Sequence, residues 1–347
     1  MKKLSAKQFR YALADIAAAL QQQIEADCEG FPSDPKASTK RREQALADFI
    51  FFRRTYFPHY CTIPGDSTLH TWLDAALPRM AEAREGQHIA LAAPRGEAKS
   101  TFISLFFVLW CVLTGRKRYI LIIADALEQA AILLEAVKAE LDGNPRLAMD
   151  FPTETGRGRV WNVGTILTAQ NVKLQALGAG KRMRGLRHGP YRPDLVILDD
   201  LENDENVAKP EQRDKLQDWL QKTVLNLGAA DGSMDVVYVG TILHYDSVLA
   251  RTLDKPTWQS KRFRSIVQWP ERLDLWDKWE AILHADGPVA ARAFYDLYQD
   301  DMERGAIVSW PAGRPLYQLI RRGPGDPQHL TGLLYGHCQL FHIVHLV

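Results

Sequence analysis

The sequence has few of the features that mark secreted, membrane or metal-cluster proteins. Its four cysteines are far apart in 347 residues and show no metal-type pairing, which fits a reducing, intracellular setting. Lys2 and Lys3 are not followed by an apolar core, so we expect no signal peptide. The most apolar run, Thr101–Thr114, is shorter than the roughly 20 residues that cross a bilayer, and it predicts a buried helix.

Net charge is almost absent, but charge is unevenly distributed. The formal net charge of +1 averages over segments that differ sharply. Between Gly156 and Pro193 there is no Asp or Glu, although this stretch carries eight Lys or Arg, whereas Asp199–Asp218 is rich in acids. Such asymmetry is typical either of a polyanion-binding surface beside a metal site or of an ordinary solvated basic face.

The composition is that of a globular protein, and the length allows one large domain or two ordinary ones. The chain is 46% hydrophobic and 24% charged, which permits a sizeable core. We predict helices over Ser5–Ala26, over Lys40–Tyr56, and from Ser67 to about Ala83, because apolar residues recur there at helical spacing. Residues 1–85 are therefore predicted to form a helical region ahead of the first strand.

From Gln87 the pattern changes to short apolar strands with helices between them. Strands are predicted at Ile89–Ala93, Tyr119–Ala124, Lys173–Ala176, Leu195–Leu198 and Val236–Gly240. Short apolar strands that alternate with helices favour a parallel sheet covered on both faces. We therefore predict an α/β fold with a mainly parallel sheet over residues 86–270, followed by a helical linker over residues 271–320.

The first predicted strand leads into a possible phosphate-binding loop. Ile89–Thr101 reads I-A-L-A-A-P-R-G-E-A-K-S-T, an apolar strand, a short loop and the start of a helix. The candidate nucleotide-binding residues are Pro94, Arg95, Gly96, Glu97, Ala98, Lys99, Ser100 and Thr101. Such a loop needs backbone N–H groups around an anion, a lysine for the β- and γ-phosphates and a hydroxyl for Mg²⁺. Because Ala93 and Ala98 occupy the two usual glycine positions, an ordinary strand-to-helix turn is the alternative.

A second strand supplies the acids that a phosphate loop requires. Leu195–Leu198 is apolar and is followed by Asp199 and Asp200, which would then lie at the carboxyl edge of the sheet. One carboxylate is needed near Mg²⁺, a role that suits Asp199, and one to orient the attacking water, a role that suits Asp200. The alternative is a strand that ends in an acidic loop. Combined with Lys99 and Ser100, the pattern predicts a site for ATP and Mg²⁺.

Several segments together resemble one family, the large subunits of tailed-phage terminases, which are motors that package DNA. The resemblance extends from about Phe31 to Leu319. It is carried by Pro94–Thr101, Asn144–Leu147 with Asp150–Pro152, Leu177–Gly180, Met183–Arg187, Asp199–Asp204 with Gln212, Arg213 and Trp219, and Val239–Thr241 with His244. The order and spacing of these segments are more specific than any one of them.

The resemblance implies a RecA-like (ASCE) P-loop ATPase with a helical N-terminal lid, which couples hydrolysis to movement of double-stranded DNA. It also implies a ring of subunits on the portal of a procapsid in the host cell cytoplasm, a small terminase subunit as partner, and no membrane. By position, Lys99 and Ser100 bind phosphate and Mg²⁺, Asp199 is the acid on the metal side, and Thr241 is the coupling residue.

Further residues are implied by the same resemblance. Arg95 and Arg184 are both candidates for stabilising charge in the transition state. The charge pattern of residues 156–193, and not the resemblance, makes Lys181, Arg182 and Arg187 candidates for contacting DNA phosphates. Family members often place Glu directly after the acidic strand's Asp, where this chain has Asp200, so Glu202 is a rival for orienting the water. Ala98 would be strained if its φ were positive.

The largest departure from the family is at the C-terminus. Members carry a nuclease domain with an RNase H-like fold, for which this chain is too short, so we expect nuclease activity to be lacking. Residues 321–347 are irregular, and we expect an aberrant or frameshifted tail. The histidines and cysteine in it (His329, His337, Cys338, His342 and His345) have poor spacing for zinc. Two other readings stay open: another DNA-dependent P-loop ATPase of helicase or repair type, or an inactive prophage remnant that binds nucleotide.

Overall fold

The computed structural model describes residues 5–183 and 185–321, which form two compact units. The larger unit comprises the described residues up to 62 together with those in 70–262, and the smaller comprises 63–69 with 263–321. Residues 263–270, which we predicted to belong with the sheet, are thus part of the smaller unit. Apart from Arg321, the predicted tail lies outside the described residues.

The strands in this part of the chain are β1 (His88–Ala92), β2 (Tyr119–Ala124), β3 (Arg157–Trp161), β4 (Thr165–Thr168), β5 (Lys173–Gly178), β6 (Leu195–Asp199), β7 (Asp235–Gly240), β8 (Gln259–Arg262), β9 (Ile266–Gln268) and β10 (Ile307–Val308). The α-helices are α1 (Ala6–Asp27), α2 (Pro35–Ala47), α3 (Phe49–Tyr56), α4 (Thr68–Glu82), α5 (Val108–Leu113), α6 (Leu127–Gly143), α7 (Pro145–Asp150), α8 (Asp204–Ala208), α9 (Pro210–Lys222), α10 (Val248–Leu253), α11 (Leu273–Asp286), α12 (Pro288–Glu303) and α13 (Leu316–Arg321). A π-helix covers Thr101–Phe107, and a short 3-10 helix covers Val224–Asn226.

The larger unit is organised around a twisted sheet whose described strands run in the order β3-β4-β5-β2-β6-β7-β1-β8. From β5 to β8 all neighbours are parallel, whereas β3 and β4 pair antiparallel at one edge. The central strands β2, β6 and β7 are buried along their whole length. This confirms the predicted α/β architecture with a mainly parallel sheet, because strands covered on both faces consist almost entirely of apolar residues.

Two parts of the larger unit differ from the predicted elements. The predicted helix Lys40–Tyr56 is two helices, since Asp48 adopts an extended conformation (φ −126°, ψ 105°) and its carboxylate accepts a hydrogen bond from the N–H of Phe51. That bond caps α3 and ends the α2 helix at Ala47. The edge strands β3 and β4 were not predicted. The residues of β3 are exposed or only partly buried, so its sequence lacks the apolar signal of the central strands.

The apolar run after the loop of residues 94–100 is helical and interior. Its first seven residues form the π-helix, α5 continues it, and every residue from Phe102 to Leu113 is buried. Among residues 5–183 and 185–321, no helix combines the length and the apolar character needed to cross a bilayer. The run therefore packs against the sheet, as predicted from its length.

The smaller unit has its own hydrophobic core. Helices α11 and α12 meet at Gly287, whose φ of 86° is readily adopted only by glycine. Between them they bury Trp276, Trp279 and Tyr295, and the indole N–H of Trp276 donates to the carbonyl of Met302 at 2.7 Å. The predicted helical linker is therefore a packed unit, to which the antiparallel pair β9–β10 and α13 also belong.

Candidate active site

Three loops of the larger unit meet at one edge of the sheet. Strands β6, β7 and β1 are parallel neighbours in that order, so their carboxyl ends lie side by side. The loop of residues 94–100 follows β1, Asp199 and Asp200 lie at the end of β6, and Thr241 follows β7. Residues that are far apart in sequence are thereby brought together at the position where open α/β sheets collect their ligands.

Lys99 connects the three loops. Its Nζ lies 3.2 Å from Oδ2 of Asp200 and 3.3 Å from Oγ1 of Thr241. The backbone N–H of Thr241 donates to Oδ1 of Asp200 at 3.1 Å, and its hydroxyl donates to the carbonyl of Ala93 at 3.3 Å. Lys99 is buried, whereas the Asp200 side chain is 48% exposed. The ammonium group is therefore held by the Thr241 hydroxyl on one contact, and its other partner is an acid that solvent can reach.

Asp199 is held by two hydroxyl groups. Ser100 donates to its Oδ1 at 3.0 Å, and Ser104, one helical turn further on, donates to its Oδ2 at 2.6 Å. Burial, and then the negative charge of Asp200, raise the pKa of Asp199 to about 6, although both hydroxyls and Lys99 lower it. A carboxylate in such surroundings gains from a cation placed beside it.

The donors at this edge fit Mg²⁺ better than a metal held by protein alone. In the described part of the chain, no group of three or more His, Cys, Asp or Glu side chains is arranged to hold a metal ion. Mg²⁺ usually keeps several waters and takes only one or two protein oxygens together with phosphate oxygens. The Asp199 carboxylate and the Ser100 hydroxyl, 3.0 Å apart, supply that kind of donor set.

The backbone at the site is strained at two residues that are not glycine. Ala98 has a φ of 53° and Asp200 a φ of 46°, both in the left-handed region, while Gly96 has a φ of 83°. Ala98 therefore adopts the conformation for which the usual glycine would be better suited, at a cost of about 1 kcal/mol. Asp tolerates this region better than most residues. Such strain is frequent at functional sites.

Glu202 lies at the same edge but is engaged by the protein itself. Its Oε1 accepts a hydrogen bond from the N–H of Val248 at 2.6 Å, and its Oε2 accepts one from the N–H of Leu249 at 2.9 Å. The hydroxyl of Tyr238 also donates to Oε2, at 3.0 Å. Both carboxylate oxygens of Glu202 thus hold the first turn of α10, which distinguishes this acid from Asp200.

An open cleft of about 350 Å³ lies over these residues. Its lining combines predicted site residues with others that we did not predict: Arg95, Ser100, Ala124, Asp125, Gln129, Leu133, Asp199, Asp200, Glu202, Asn203, Asp204, Thr241 and Leu243. Two of the lining residues are hydrogen-bonded to each other: Asn203 Nδ2 donates to Oδ2 of Asp125 at 3.1 Å. Asp125 directly follows β2, so its position after a strand was the signal that could have identified it.

Ser104 is another residue that sequence reasoning missed. The signal was present, because Ser104 is a hydroxyl residue one helical turn after Ser100 inside an otherwise apolar run. Its hydrogen bond to Asp199 depends on β6 lying beside the π-helix, which the local pattern does not reveal.

The predicted DNA-contacting residues are not among the residues that line the cleft. Lys181, Arg182 and Arg187 are exposed, and the carbonyl of Lys181 accepts a hydrogen bond from the indole N–H of Trp219 at 2.9 Å. Arg184 lies outside the described residues. The exposed positions are what a phosphate-contacting surface requires, but they are equally those of a solvated basic face.

The chain was also compared with known proteins. No family model matches it, and no curated protein matches it.

Proposed function

We propose that this chain is the ATP-hydrolysing motor subunit of a phage terminase, which couples ATP hydrolysis to packaging of double-stranded DNA into a procapsid. The observation that carries the proposal is the meeting of Lys99, Ser100 and Asp199 with Asp200 and Thr241 at one sheet edge. These are the residue types that phosphoryl transfer from ATP requires: a lysine, a hydroxyl, two acids and a polar sensor. Three separate loops contribute them.

The strand order supports a RecA-like ATPase of the ASCE class. Such an enzyme needs its phosphate loop and its acids at the same carboxyl edge of a parallel sheet. Here β7 lies between β1 and β6, and it pairs in parallel with both. The loop after β1 and the acids after β6 can therefore act on one ligand at that edge, which supports the proposal.

The proposed binding mode follows from the positions of the side chains. The backbone of Pro94–Thr101 would surround the phosphates at the start of a helix, and Lys99 would contact the β- and γ-phosphates. Ser100 and Asp199 would hold Mg²⁺, which supplies positive charge to the phosphate oxygens when bound. Arg95 is exposed and lines the cleft, where its guanidinium would offset negative charge that develops during transfer. Arg184 remains a second candidate for that task.

Asp200 is the better candidate for orienting the attacking water. Its carboxylate is half exposed and pairs with Lys99, whereas the oxygens of Glu202 are committed to α10 and Tyr238. Phosphates that attract Lys99 would compete with Asp200 for its ammonium group and so release the carboxylate toward water. The left-handed φ of Asp200 also gives a reason for Asp at this position, since a longer Glu tolerates that backbone less well.

Thr241 would report the state of the phosphates. It contacts Lys99 through its hydroxyl and Asp200 through its N–H, so a change at either residue reaches the loop that leads to α10. The proposal includes a ring of subunits on a portal, a small terminase subunit as partner, and DNA contacts by Lys181, Arg182 and Arg187. The ring, the portal and the small subunit derive from the family resemblance, and the DNA contacts from the basic stretch of residues 156–193.

The test is ATP hydrolysis by the purified chain, measured with and without double-stranded DNA and with procapsids that carry a portal. We expect stimulation by both, and loss of at least about 100-fold in turnover in Lys99→Ala. Hydrolysis that is unchanged in Lys99→Ala would refute the proposal. Stimulation by single-stranded DNA alone would favour a helicase or repair enzyme, and tight ATP binding without phosphate release would favour an inactive remnant.

A further inference from the structure

A histidine from the N-terminal helices contacts the phosphate loop directly. His70 lies on α4, and its Nε2 is 3.0 Å from the carbonyl oxygen of Glu97. The same imidazole stacks on the ring of Phe102, with a centroid distance of 4.2 Å and an interplanar angle of 8°. His70 is only 2% exposed, so it is held against both ends of the segment that contains Ala98 and Lys99.

The position of His70 is braced by an ion pair. Asp74, one turn after His70 on α4, accepts two hydrogen bonds from the guanidinium of Arg53 on α3, at 2.6 and 2.8 Å. That guanidinium lies 4.7 Å from the centroid of the Phe102 ring. Both side chains of the pair are almost fully buried. The helices α3 and α4 are thereby fastened to the π-helix at the residue on which His70 stacks.

Fixing the carbonyl of Glu97 also fixes the next N–H. A peptide unit is planar and trans, so the N–H of Ala98 points opposite to the carbonyl of Glu97. Ala98 adopts a φ of 53°, which is unfavourable for a residue with a Cβ and must be maintained by outside contacts. The His70 hydrogen bond acts on the peptide immediately before this strained residue.

We infer that His70 is a positioning residue: by holding the carbonyl of Glu97 it keeps the amides of the phosphate loop arranged for a polyphosphate before one arrives. This inference rests on the proposed function, because it assigns the loop of residues 94–100 to the phosphates of ATP. The N-terminal helices would then contribute directly to nucleotide affinity through His70, which is 27 residues before Glu97 in the sequence. Preorganised donors of this kind raise affinity because no ordering remains to be done on binding.

Three variants separate the hydrogen bond from the stacking. His70→Gln places an amide N–H close to the position of Nε2, so it keeps the bond and loses the ring. His70→Phe keeps a ring on Phe102 and loses the bond. Phe102→Leu keeps the imidazole and loses the stack, and it serves as the matched control. His70→Leu replaces His70→Phe should that variant not fold.

The first measurement is calorimetric binding of ATP and of inorganic triphosphate, without Mg²⁺, together with thermal unfolding of each nucleotide-free protein. We expect His70→Phe to bind both about fivefold to tenfold more weakly, the equivalent of one lost hydrogen bond. His70→Gln should stay within about twofold of the wild type, and Phe102→Leu should lower the melting temperature with little change in affinity. A merely structural role would make affinity follow the melting temperature across all variants.

The second measurement is hydrogen exchange of the Ala98 and Lys99 amides in the nucleotide-free protein. We expect faster exchange in His70→Phe than in His70→Gln. If the wild type binds ATP and neither affinity nor exchange differs between these two variants, the inference is wrong while the proposed function stands. If the wild type binds neither ATP nor triphosphate, the proposed function fails and this inference fails with it.

Discussion

The two ends of the same strands carry acids that serve different purposes. At the amino end, Asp194 accepts hydrogen bonds from the N–H groups of Arg118 and Tyr119 at 2.6 and 2.9 Å. Asp235, the first residue of β7, forms a buried ion pair with Lys117 at 2.8 Å. These acids are satisfied by neighbouring backbone and by a lysine, and they connect the starts of adjacent strands.

At the carboxyl end an ion pair of similar length faces the cleft instead. Lys99 and Asp200 are 3.2 Å apart, and Asp200 is half exposed. Burial raises the pKa of Asp235 as well as that of Asp199, so a shifted pKa does not distinguish the two ends. The two ends differ in solvent access. A charged side chain can act on a ligand only if the ligand can reach it. Buried charge becomes a candidate site where it borders an open cleft.

The sharpest test of this comparison is the loss of each lysine in turn. Lys117→Ala leaves Asp235 buried and unpaired, so we expect a loss of about 3 kcal/mol in the free energy of unfolding, with ATP turnover per folded molecule retained. Lys99→Ala should do the reverse, abolishing turnover with little change in stability. Urea unfolding and ATPase assays of both variants check this. If the two substitutions changed the free energy of unfolding and the ATP turnover equally, the amino and carboxyl ends of the strands would not differ in this way.

The acids that follow β6 allow a similar comparison. Asp200→Asn should reduce turnover by about 100-fold or more while ATP still binds, because the group proposed to orient the attacking water loses its charge. Glu202→Gln should instead destabilise the protein by about 2 kcal/mol, since it weakens the hydrogen bonds to the first turn of α10. Fluorescent-nucleotide binding, turnover and unfolding distinguish the two. If Glu202→Gln loses more turnover than Asp200→Asn at equal folded fraction, Glu202 would be the acid that orients the water.

Another buried charge pair, His59 with Glu140, should make the stability of the protein depend on pH. The imidazole Nε2 lies 2.8 Å from Oε1 of Glu140. Burial alone would lower the pKa of His59, but hydrogen bonds with Cys28 and Glu140 outweigh it and raise the pKa to about 9. Because this pKa is above the unfolded value, the stabilisation is complete below about pH 6.5 and is lost as pH rises through about 9.

We expect the free energy of unfolding to fall by about 3 kcal/mol over that interval, as measured by urea titrations at several pH values. His59→Gln, which cannot ionise, should show a flatter profile. A wild-type profile no steeper than that of His59→Gln would mean that the histidine is neutral in the folded protein.

The second hydroxyl on Asp199 should affect Mg²⁺ rather than stability. Ser104→Ala removes the bond to Oδ2 and leaves that of Ser100 to Oδ1. We expect the Mg²⁺ concentration that half-maximally enhances ATP binding to rise by about tenfold, since the carboxylate is less firmly oriented. ATP binding in the presence of a chelator is the control and should not change. If Ser104→Ala required the same Mg²⁺ concentration as the wild type, Ser104 would have a role in packing alone.

The smallest expected effect concerns the two alanines in glycine positions. Ala98→Gly relieves a left-handed backbone and should stabilise the protein by about 1 kcal/mol. Ala93→Gly, at a residue outside the left-handed region, should destabilise it by a similar amount. Thermal unfolding of the two variants is sufficient. Stabilisation by both, or by neither, would show that the φ of Ala98 is not strained.

Much of the sheet could be predicted from the sequence, and less of the site. All five predicted strands are present: four are short apolar runs bounded by polar or turn residues, and the fifth, at Lys173–Ala176, alternates polar and apolar residues. The edge strand β3 was missed, since it is only partly buried and lacks that pattern. The break at Asp48 was missed as well, because a cap inside an otherwise helical stretch depends on one side-chain hydrogen bond.

The sequence by itself determined the alternation of strands and helices, the loop at residues 94–100 and the two acids after β6. These follow from local spacing, which sets backbone conformation over a few residues at a time. Tertiary structure alone decided that β7 separates β1 from β6 and that Asp200 faces Lys99 while Glu202 holds α10. It also placed His70 against Glu97 in the loop of residues 94–100. Such choices depend on which strands and helices pack together, and that is set by the whole core.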